Sequence, residues 1–414
     1  MERVILHSDM NNYYASVECM LNPDLKGKPV AVCGSTSERH GIVLAKNYEA
    51  KAYGVQTGEV TWQAQQKCKD LIIVPPHYDM YIKYSKLARQ IYARYTDLIE
   101  PFGMDECWLD VTGSQNLFGD GFTMANEIKE TIKAELGLTV SVGVSFNKIF
   151  AKLGSDMKKP DAVTCIYSND FKEKIWHLPA SDMLGVGFSS KRKLDTFGIY
   201  TIGQLANADP NVLQASMKSH GLTLWRFANG YDNSPVMEMN YKSPIKSVGH
   251  GITTRRDLQN ESDVWPVILE LSYDIGHKLR ENGLSANGVS ICVRDTELLS
   301  KEWQTKMPLS TQSDTYIATM AFRLFQRCYS WEKDIRSITI RAIDLQEADT
   351  PIQIDFFSDR TKVDKLERID RLIDQIRTKY GEKSILRASL LNLDSLAPEK
   401  SKGIKMPSGL LTCR

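Results

Sequence analysis

Asp9, Asp105 and Glu106 are the residues of this 414-residue chain whose types and spacing could do chemistry. Asp105 and Glu106 stand side by side in PFGMDECWLDV, Pro101 to Val111, an otherwise apolar run of strand-like composition. Two ionised carboxylates in half-buried surroundings repel each other, and each is costly to desolvate without a partner. No Arg or Lys lies within the run, so the compensating cation must come from elsewhere in the fold or from solution. Asp9 ends the first apolar strand, in HSDMNNYY. A carboxylate at a strand end, facing two more on a neighbouring strand or hairpin, can hold hard divalent cations through oxygen. Two such ions can activate a hydroxyl nucleophile, clamp a triphosphate and stabilise the pyrophosphate that leaves in an in-line displacement. An acidic hairpin tip that simply faces water is the other reading of the same residues.

The elements that must position these acids alternate. ERVILH predicts a strand, NNYYASVECML a helix, KPVAVCG and HGIVLAKN two strands, and YEAKAYG and TWQAQQKC short helices. Tyr78 to Leu98 carries apolar groups at helical spacing, MANEIKETIKAELG is an amphipathic helix, and LTVSVGVS is a strand. Such alternation builds a sheet with helices against it. From about residue 166 short helices and Gly-rich turns take over, and DNSPVMEMNYKSP reads as a linker. Residues 244 to 345 hold strands (VSICVRD, SITIRAIDL) and two helices, an α+β module. At 414 residues two to four domains are expected.

Composition narrows the function classes. Net charge is +1, so the whole molecule is no polycation, although Lys158-Lys159, Lys191-Arg192-Lys193 and Arg255-Arg256 are local basic clusters. Each alone reads as a solvated face. The eight cysteines never form CxxC, no histidine pair makes HExxH, and no GxxxxGK[ST] occurs. Zinc chemistry, a disulfide framework and a P-loop ATPase therefore have no support. The N-terminus shows no charged leader before a long apolar segment, and no run approaches a membrane span, so a cytoplasmic protein without a membrane partner is expected.

SDMNNYYASVE, LKGKPVAV, LAKNYEAKAYGV, GMDECWLDVTG, SVGVSFNKIFAKLGSDMKKPDAVT and LGVGFSSKRKLDTFGIYTIGQLA, in that order and at those intervals, resemble the Y-family translesion DNA polymerases, the DinB/UmuC class. The resemblance runs from residue 1 to about 345. It implies a multidomain α+β and α/β right hand: a palm at 1–30 and 76–165, small fingers at 31–75, and a helix-hairpin-helix thumb at 166–231. A linker at 232–243, an α+β little finger at 244–348 and a tail at 349–414 would complete it. It implies a template-directed, low-fidelity enzyme using two Mg2+ ions, with primer-template DNA and dNTPs as partners, acting as a monomer. Asp9, Asp105 and Glu106 would be catalytic and metal-binding, with an oxygen from the Met10 backbone. Tyr14 would be the steric gate against ribose. Met10, Asn11, Asn12, Tyr13, Tyr14, Ala45, Tyr48, Lys51 and Lys159 would contact the nucleotide. Gly185, Val186, Gly187 and Lys191 in the thumb, and Arg255 and Arg256 in the little finger, would hold DNA phosphates. The competing expectation is a clamp-tethered adaptor with little catalysis, which the persistence of all three acids, Tyr14 and Lys159 disfavours.

Two departures bear on the branch. The first motif reads Asp9-Met10-Asn11 where DinB-type enzymes have Asp-x-Asp, which points toward the UmuC-like branch. Lys51 stands where DinB-type enzymes have Arg and offers a point charge instead of a bidentate fork. Gln353-Ile354-Asp355-Phe356-Phe357 resembles the pentapeptide that binds the bacterial sliding clamp, while a short strand is the plain alternative. Residues 360 to 380 form an amphipathic helix, with Val363, Leu366, Ile369, Leu372, Ile373 and Ile376 on one side, suited to core packing or a partner contact.

Overall fold

The structure is a computed structural model and describes residues 2–35, 39, 41–351, 360–381 and 384–390. The clamp-like pentapeptide, Gln353 to Phe357, lies outside the described residues. The described residues divide into two compact units, the first holding those up to Gly34 and Ile42–Ser243, the second those of Ser35–Gly41 and from Pro244 onward.

In the first unit, β1 (Ile5–Met10) is wholly buried and leads into α1 (Tyr13–Leu21). The turn between them rests on Asn12, whose left-handed backbone (φ 48°) is one that Asn tolerates better than most residues. A small sheet follows, made of β2 (Val30–Cys33), β3 (Val43–Lys46) and, after α2 (Tyr48–Ala52) and α3 (Thr61–Lys67), β4 (Ile72–Val74), in the order β3-β2-β4. Then come α4 (Tyr78–Tyr92), the hairpin of β5 (Ile99–Pro101) and β6 (Glu106–Asp110), α5 (Gln115–Phe118) and α6 (Gly121–Leu136). The main sheet is completed by β7 (Val140–Ser145) and, after α7 (Lys148–Met157), β8 (Val163–Ile166). Its order is β5-β6-β1-β7-β8, with β1 in the middle.

One face of this sheet packs Leu6, Met10, Cys107, Leu109, Val140, Val142 and Val144 together with α1, α4 and α6. The other face is covered by α7. Gly143 makes that approach possible, since a Cβ there would sit 1.9 Å from the Ala151 carbonyl oxygen. Five helices follow: α8 (Phe171–Ile175), α9 (Phe188–Thr196), α10 (Ile202–Ala206), α11 (Pro210–Met217) and α12 (Ser219–Ala228), packed round Leu194, Leu205, Leu213 and Leu224.

The stretch read as a linker is only partly one. Val236 is buried with Ile5, Trp108 and Ala151. The Met237 amide donates to Glu100 (3.0 Å), Lys148 Nζ to the Pro235 carbonyl (3.4 Å), and the Met239 amide to the Asp97 carbonyl (3.1 Å). An apolar residue and a set of pairable backbone groups suffice to strap a Pro-bearing segment down.

The second unit has a four-stranded antiparallel sheet, order β11-β10-β12-β9. It comprises β9 (Val248–Leu258), α13 (Glu261–Glu281), β10 (Leu284–Asp295), β11 (Ser300–Thr311), α14 (Asp314–Cys328), β12 (Ile335–Glu347) and α15 (Arg360–Tyr380). Val289, Ile291, Val293, Ile338 and Ile340 point into a core with α13 and α14. The alternate residues Ser290, Arg294, Thr339 and Arg341 make the other face polar. Strand β11 escapes the sequence reading because SKEWQTK is rich in polar and charged residues, as suits an exposed edge.

Candidate active site

Antiparallel register sets Asp9 directly opposite Glu106 on β6 and Ser141 on β7, and His7 opposite Trp108. Directly opposed residues share a face, so His7, Asp9, Glu106 and Trp108 all look toward α7. Helical spacing on α7 aligns Lys152, Ser155 and Asp156 toward them. Lys152 Nζ lies 2.6 Å from Glu106 Oε2 and 3.4 Å from Asp9 Oδ2. Lys159, just past the helix, reaches Asp9 Oδ2 at 2.8 Å and Asp156 Oδ1 at 2.8 Å. The His7 ring is fully buried between Ser155 Oγ (2.8 Å from Nδ1) and Glu106 Oε2 (3.2 Å from Nε2). Ser155 Oγ donates its proton to the Lys152 carbonyl (2.8 Å), which leaves His7 Nδ1 as the donor to it.

Asp105 stands one residue before β6, and its carbonyl accepts the Met10 amide at 3.0 Å. Burial, together with the negative charges of Glu106 and Asp9, pushes its carboxyl up to about 7. Burial acts the same way on Glu106, but the contact with the His7 ring and the Lys152 charge outweigh it and hold that carboxyl below its ordinary range. Burial alone would lower Lys152 and Lys159; the acids around them keep both above the usual lysine value. The three acids thus share one end of the sheet. Among the described residues, however, no three His, Cys, Asp or Glu side chains converge as a ready ligand set. Lysine ammonium groups stand between them.

The aromatic neighbours separate by burial. Tyr14 is half-buried, stacked flat on Tyr81 (centroids 4.2 Å, 7°) and edge-on to Tyr78. Tyr13 is 3% exposed, and its hydroxyl donates to the Tyr81 carbonyl. Asn11 is also buried: its Nδ2 donates to Ser141 Oγ and its Oδ1 accepts the Asp161 amide, both at 2.9 Å. The residue that breaks the Asp-x-Asp pattern is therefore a tie between the end of β1 and the turn after Lys159. Ala45 is half-buried on β3, Tyr48 is half-buried at the start of α2, and Lys51 is exposed with its Nζ 5.6 Å from the Tyr48 ring centre. The charges of Lys159 and Asp9 both act on the Tyr48 hydroxyl, though burial is the larger influence and raises it.

These elements have close relatives. A family model described as the impB/mucB/samB family matches residues 8–156, and its C-terminal-domain model matches residues 245–356. A DNA polymerase IV of Acetivibrio thermocellus is 52% identical over 94% of this chain and 98% of its own. DNA polymerase IV 1 of Bacillus subtilis is 36% identical over 97% of this chain and 95% of its own. A solved Y-family DNA polymerase chimera superposes with a TM-score of 0.74 at 25% identity, covering 82% of this chain and 98% of that one. The chain belongs to the Y family of DNA polymerases. Its relatives put this Y-family polymerase with the DinB type, which corrects the lean toward the UmuC-like branch drawn from Asn11.

Elsewhere in the polymerase, Gly185 adopts φ 92° and opens the turn before α9, while Gly187 caps that helix. Val186 is 7% exposed and belongs to the helical core, and its amide donates to the Met183 carbonyl at 3.1 Å. Lys191 is exposed and pairs with Asp195 at 2.8 Å. Arg256 on edge strand β9 is held by Asp263 at 2.9 Å. Sequence reasoning missed Lys152 and His7. The signal for Lys152 was its place on one helical face with Asp156, ahead of Lys159. His7 had one too, two residues before Asp9 on the same strand face. Among the described residues no helix is long and apolar enough to cross a membrane.

Proposed function

We propose that this translesion DNA polymerase adds dNMP to a primer 3′-end at the Asp9, Asp105 and Glu106 cluster, with two Mg2+ ions. The observation that carries the reading is the approach of Asp9, Glu106, Lys152 and Lys159 within ion-pair distance at one sheet end, beside the stacked Tyr14. The residues fit a divalent cation. Glu106 Oε2 is buried without an aligned hydrogen bond, and burial with the negative charges of Glu106 and Asp9 raises the Asp105 carboxyl to about 7, a penalty that a bound cation would relieve. Asp9, the Met10 carbonyl, Asp105 and Glu106 would hold the ions, hard oxygen donors of the kind such cations prefer. Bound there, they would supply positive charge to the attacking hydroxyl and the triphosphate.

The chain's own residues do the rest in this reading. Lys159, with Tyr48 and Lys51 from α2, binds the triphosphate, and Lys159 leaves Asp9 to do so. Asn11 keeps the turn after Lys159 in place. The Tyr14 ring, fixed by Tyr81, lies under the incoming sugar and clashes with a 2′-hydroxyl, a repulsive solution to a distinction that attraction makes poorly. The Gly185 to Gly187 backbone, Lys191, Arg255 and Arg256 hold DNA phosphates, which position the duplex without reading it. Gln353 to Phe357 bind the sliding clamp, and the polymerase works as a cytoplasmic monomer.

Single-nucleotide insertion with deoxy- and ribonucleotides tests this reading. Tyr14→Ala is expected to insert ribonucleotides far more readily while retaining deoxynucleotide activity, and Tyr13→Ala to lower both alike. An active Tyr14→Ala enzyme that still excludes ribose would move the gate elsewhere.

A further inference from the structure

Helix α15 is docked with its polar side inward. Glu367 and Asp370 are 7% and 1% exposed. Glu367 accepts Thr311 Oγ1 (2.8 Å) and the Gln312 amide (3.0 Å). Asp370 accepts Ser313 Oγ (2.9 Å) and the Asp314 amide (3.1 Å), and Asp374 takes the Arg280 fork at 2.6 and 3.1 Å. Arg377 stacks on Tyr273 with 3.9 Å to the ring centre. Val363 is the apolar residue of α15 that is fully buried. Leu366 and Ile373 are half-buried, and the rest of the apolar stripe faces out: Ile369 is 41% exposed, Leu372 57%, Ile376 36% and Tyr380 67%. Spacings of three, four and four residues put these four side chains in one row along the helix. An ordinary surface helix does the reverse, burying its stripe and wetting its charges.

A continuous exposed apolar row on an otherwise polar helix marks an interaction surface. Lys362, Lys365, Arg368 and Lys379 flank the row. The acids of α15 are turned away from it: Glu367, Asp370 and Asp374 are on the docked side, and Asp364 pairs with Arg360 at 2.7 Å. We propose that this outer face of α15 binds an acidic amphipathic helix of another protein, apolar side to apolar row and carboxylates to the basic rim. Charge complementarity selects that occupant. The chain's own residues 391–414 carry four basic residues against two acids, and a second copy would bring the same basic rim; either would meet like charge. The surface is separate from the polymerase chemistry and would serve recruitment or control.

The test titrates the full-length chain into a fluorescent synthetic helix with leucines in its heptad core positions and glutamates at its flanks, read by anisotropy. A counterpart with lysines for glutamates is the control. The acidic peptide is expected to bind, the basic one not to. Leu372→Asp with Ile376→Asp should weaken binding by about tenfold or more, as loss of central apolar anchors does. Lys365→Glu with Arg368→Glu should weaken it comparably and remove its salt dependence. All four positions are exposed, so thermal stability and primer extension should hold in both variants. Absent binding, or equal binding by the variants, overturns the proposal. So does concentration-dependent dimerisation that Leu372→Asp/Ile376→Asp abolishes, which would give the face to a second copy. Tighter peptide binding by Leu410→Asp/Leu411→Asp would give it to the chain's own tail.

Discussion

Two carboxylate clusters among the described residues, each with buried acids, are neutralised in opposite ways. At the end of the main sheet, Asp9 and Glu106 meet lysine ammonium groups, and Glu106 Oε2 is left without an aligned donor. Under α15, Asp370 and Glu367 take backbone amides and hydroxyls, and Arg280 forks between Asp374 and Asp314. Lysine is a point charge on a flexible stem, able to withdraw when another cation arrives. Arginine's planar fork and fixed backbone donors are not. The first cluster is therefore suited to exchanging its counter-charge during a reaction cycle, and the second to holding a helix in place. Acid content alone does not distinguish an active site from a structural latch. The donors do.

The sharpest way to break this comparison is to remove acids from each cluster in turn. Asp9→Ala, Asp105→Ala or Glu106→Ala should lower primer extension by at least about a hundredfold. Primer-template affinity should stay nearly intact, since phosphate contacts dominate it. Asp370→Asn should leave extension unchanged and lower the melting temperature. Substantial turnover by Asp105→Ala would undo the assignment of the first cluster.

Next in size is Arg280→Ala, which strands Asp314 and Asp374. Losing one partner of a buried pair costs about 3–5 kcal/mol, and Arg280 and Asp314 side chains are only 8% and 1% exposed. Arg280→Lys should recover part of that loss, because a single ammonium cannot serve both acids with a fork's geometry. Chemical denaturation measures both. Equal stability of Arg280→Ala and the unaltered chain would remove the latch from the comparison.

Asn11→Ala should be smaller, about 1–3 kcal/mol for a buried amide and hydroxyl left unpaired. It should also raise the KM for dNTP more than it lowers kcat, because the turn that carries Lys159 loosens. A pure kcat loss would put Asn11 in the chemistry.

The smallest effect is a pH slope. Burial, opposed by Arg280 but joined by Asp370, pushes Asp314 up to about 7 from an ordinary 3.8. Between those values the folded chain holds a proton that the unfolded chain releases, so stability falls as pH rises from about 4 to about 7. His277, raised by the Asp374 carboxylate 3.3 Å from its Nδ1, adds the same sign, since its stabilisation is lost as pH rises through its elevated value. Asp374, depressed to about 2, loses its contribution only as pH falls toward that value. Calorimetry across pH 4 to 7 should show the decline, shallower in Asp314→Asn; identical slopes would place the proton elsewhere.

The sequence by itself determined the strand ending in Asp9, the acidic hairpin, the αβ alternation and the family, because these are written in local periodicity and ordered motifs. It placed the 360–380 helix as well. It did not determine which way that helix faces, since an apolar stripe reads the same whether it is buried or left out. Nor did it supply the cation that PFGMDECWLDV lacks. Lys152 is forty-six residues from Glu106, and only the register of β1 with β6, and the close seat of α7 over Gly143, bring the two to 2.6 Å. Val236 settled into the core and Asn11 became a tie for the same reason. Long-range pairing is decided by which surfaces can be buried together and which buried polar groups can find partners, and neither is a property of any short stretch of chain.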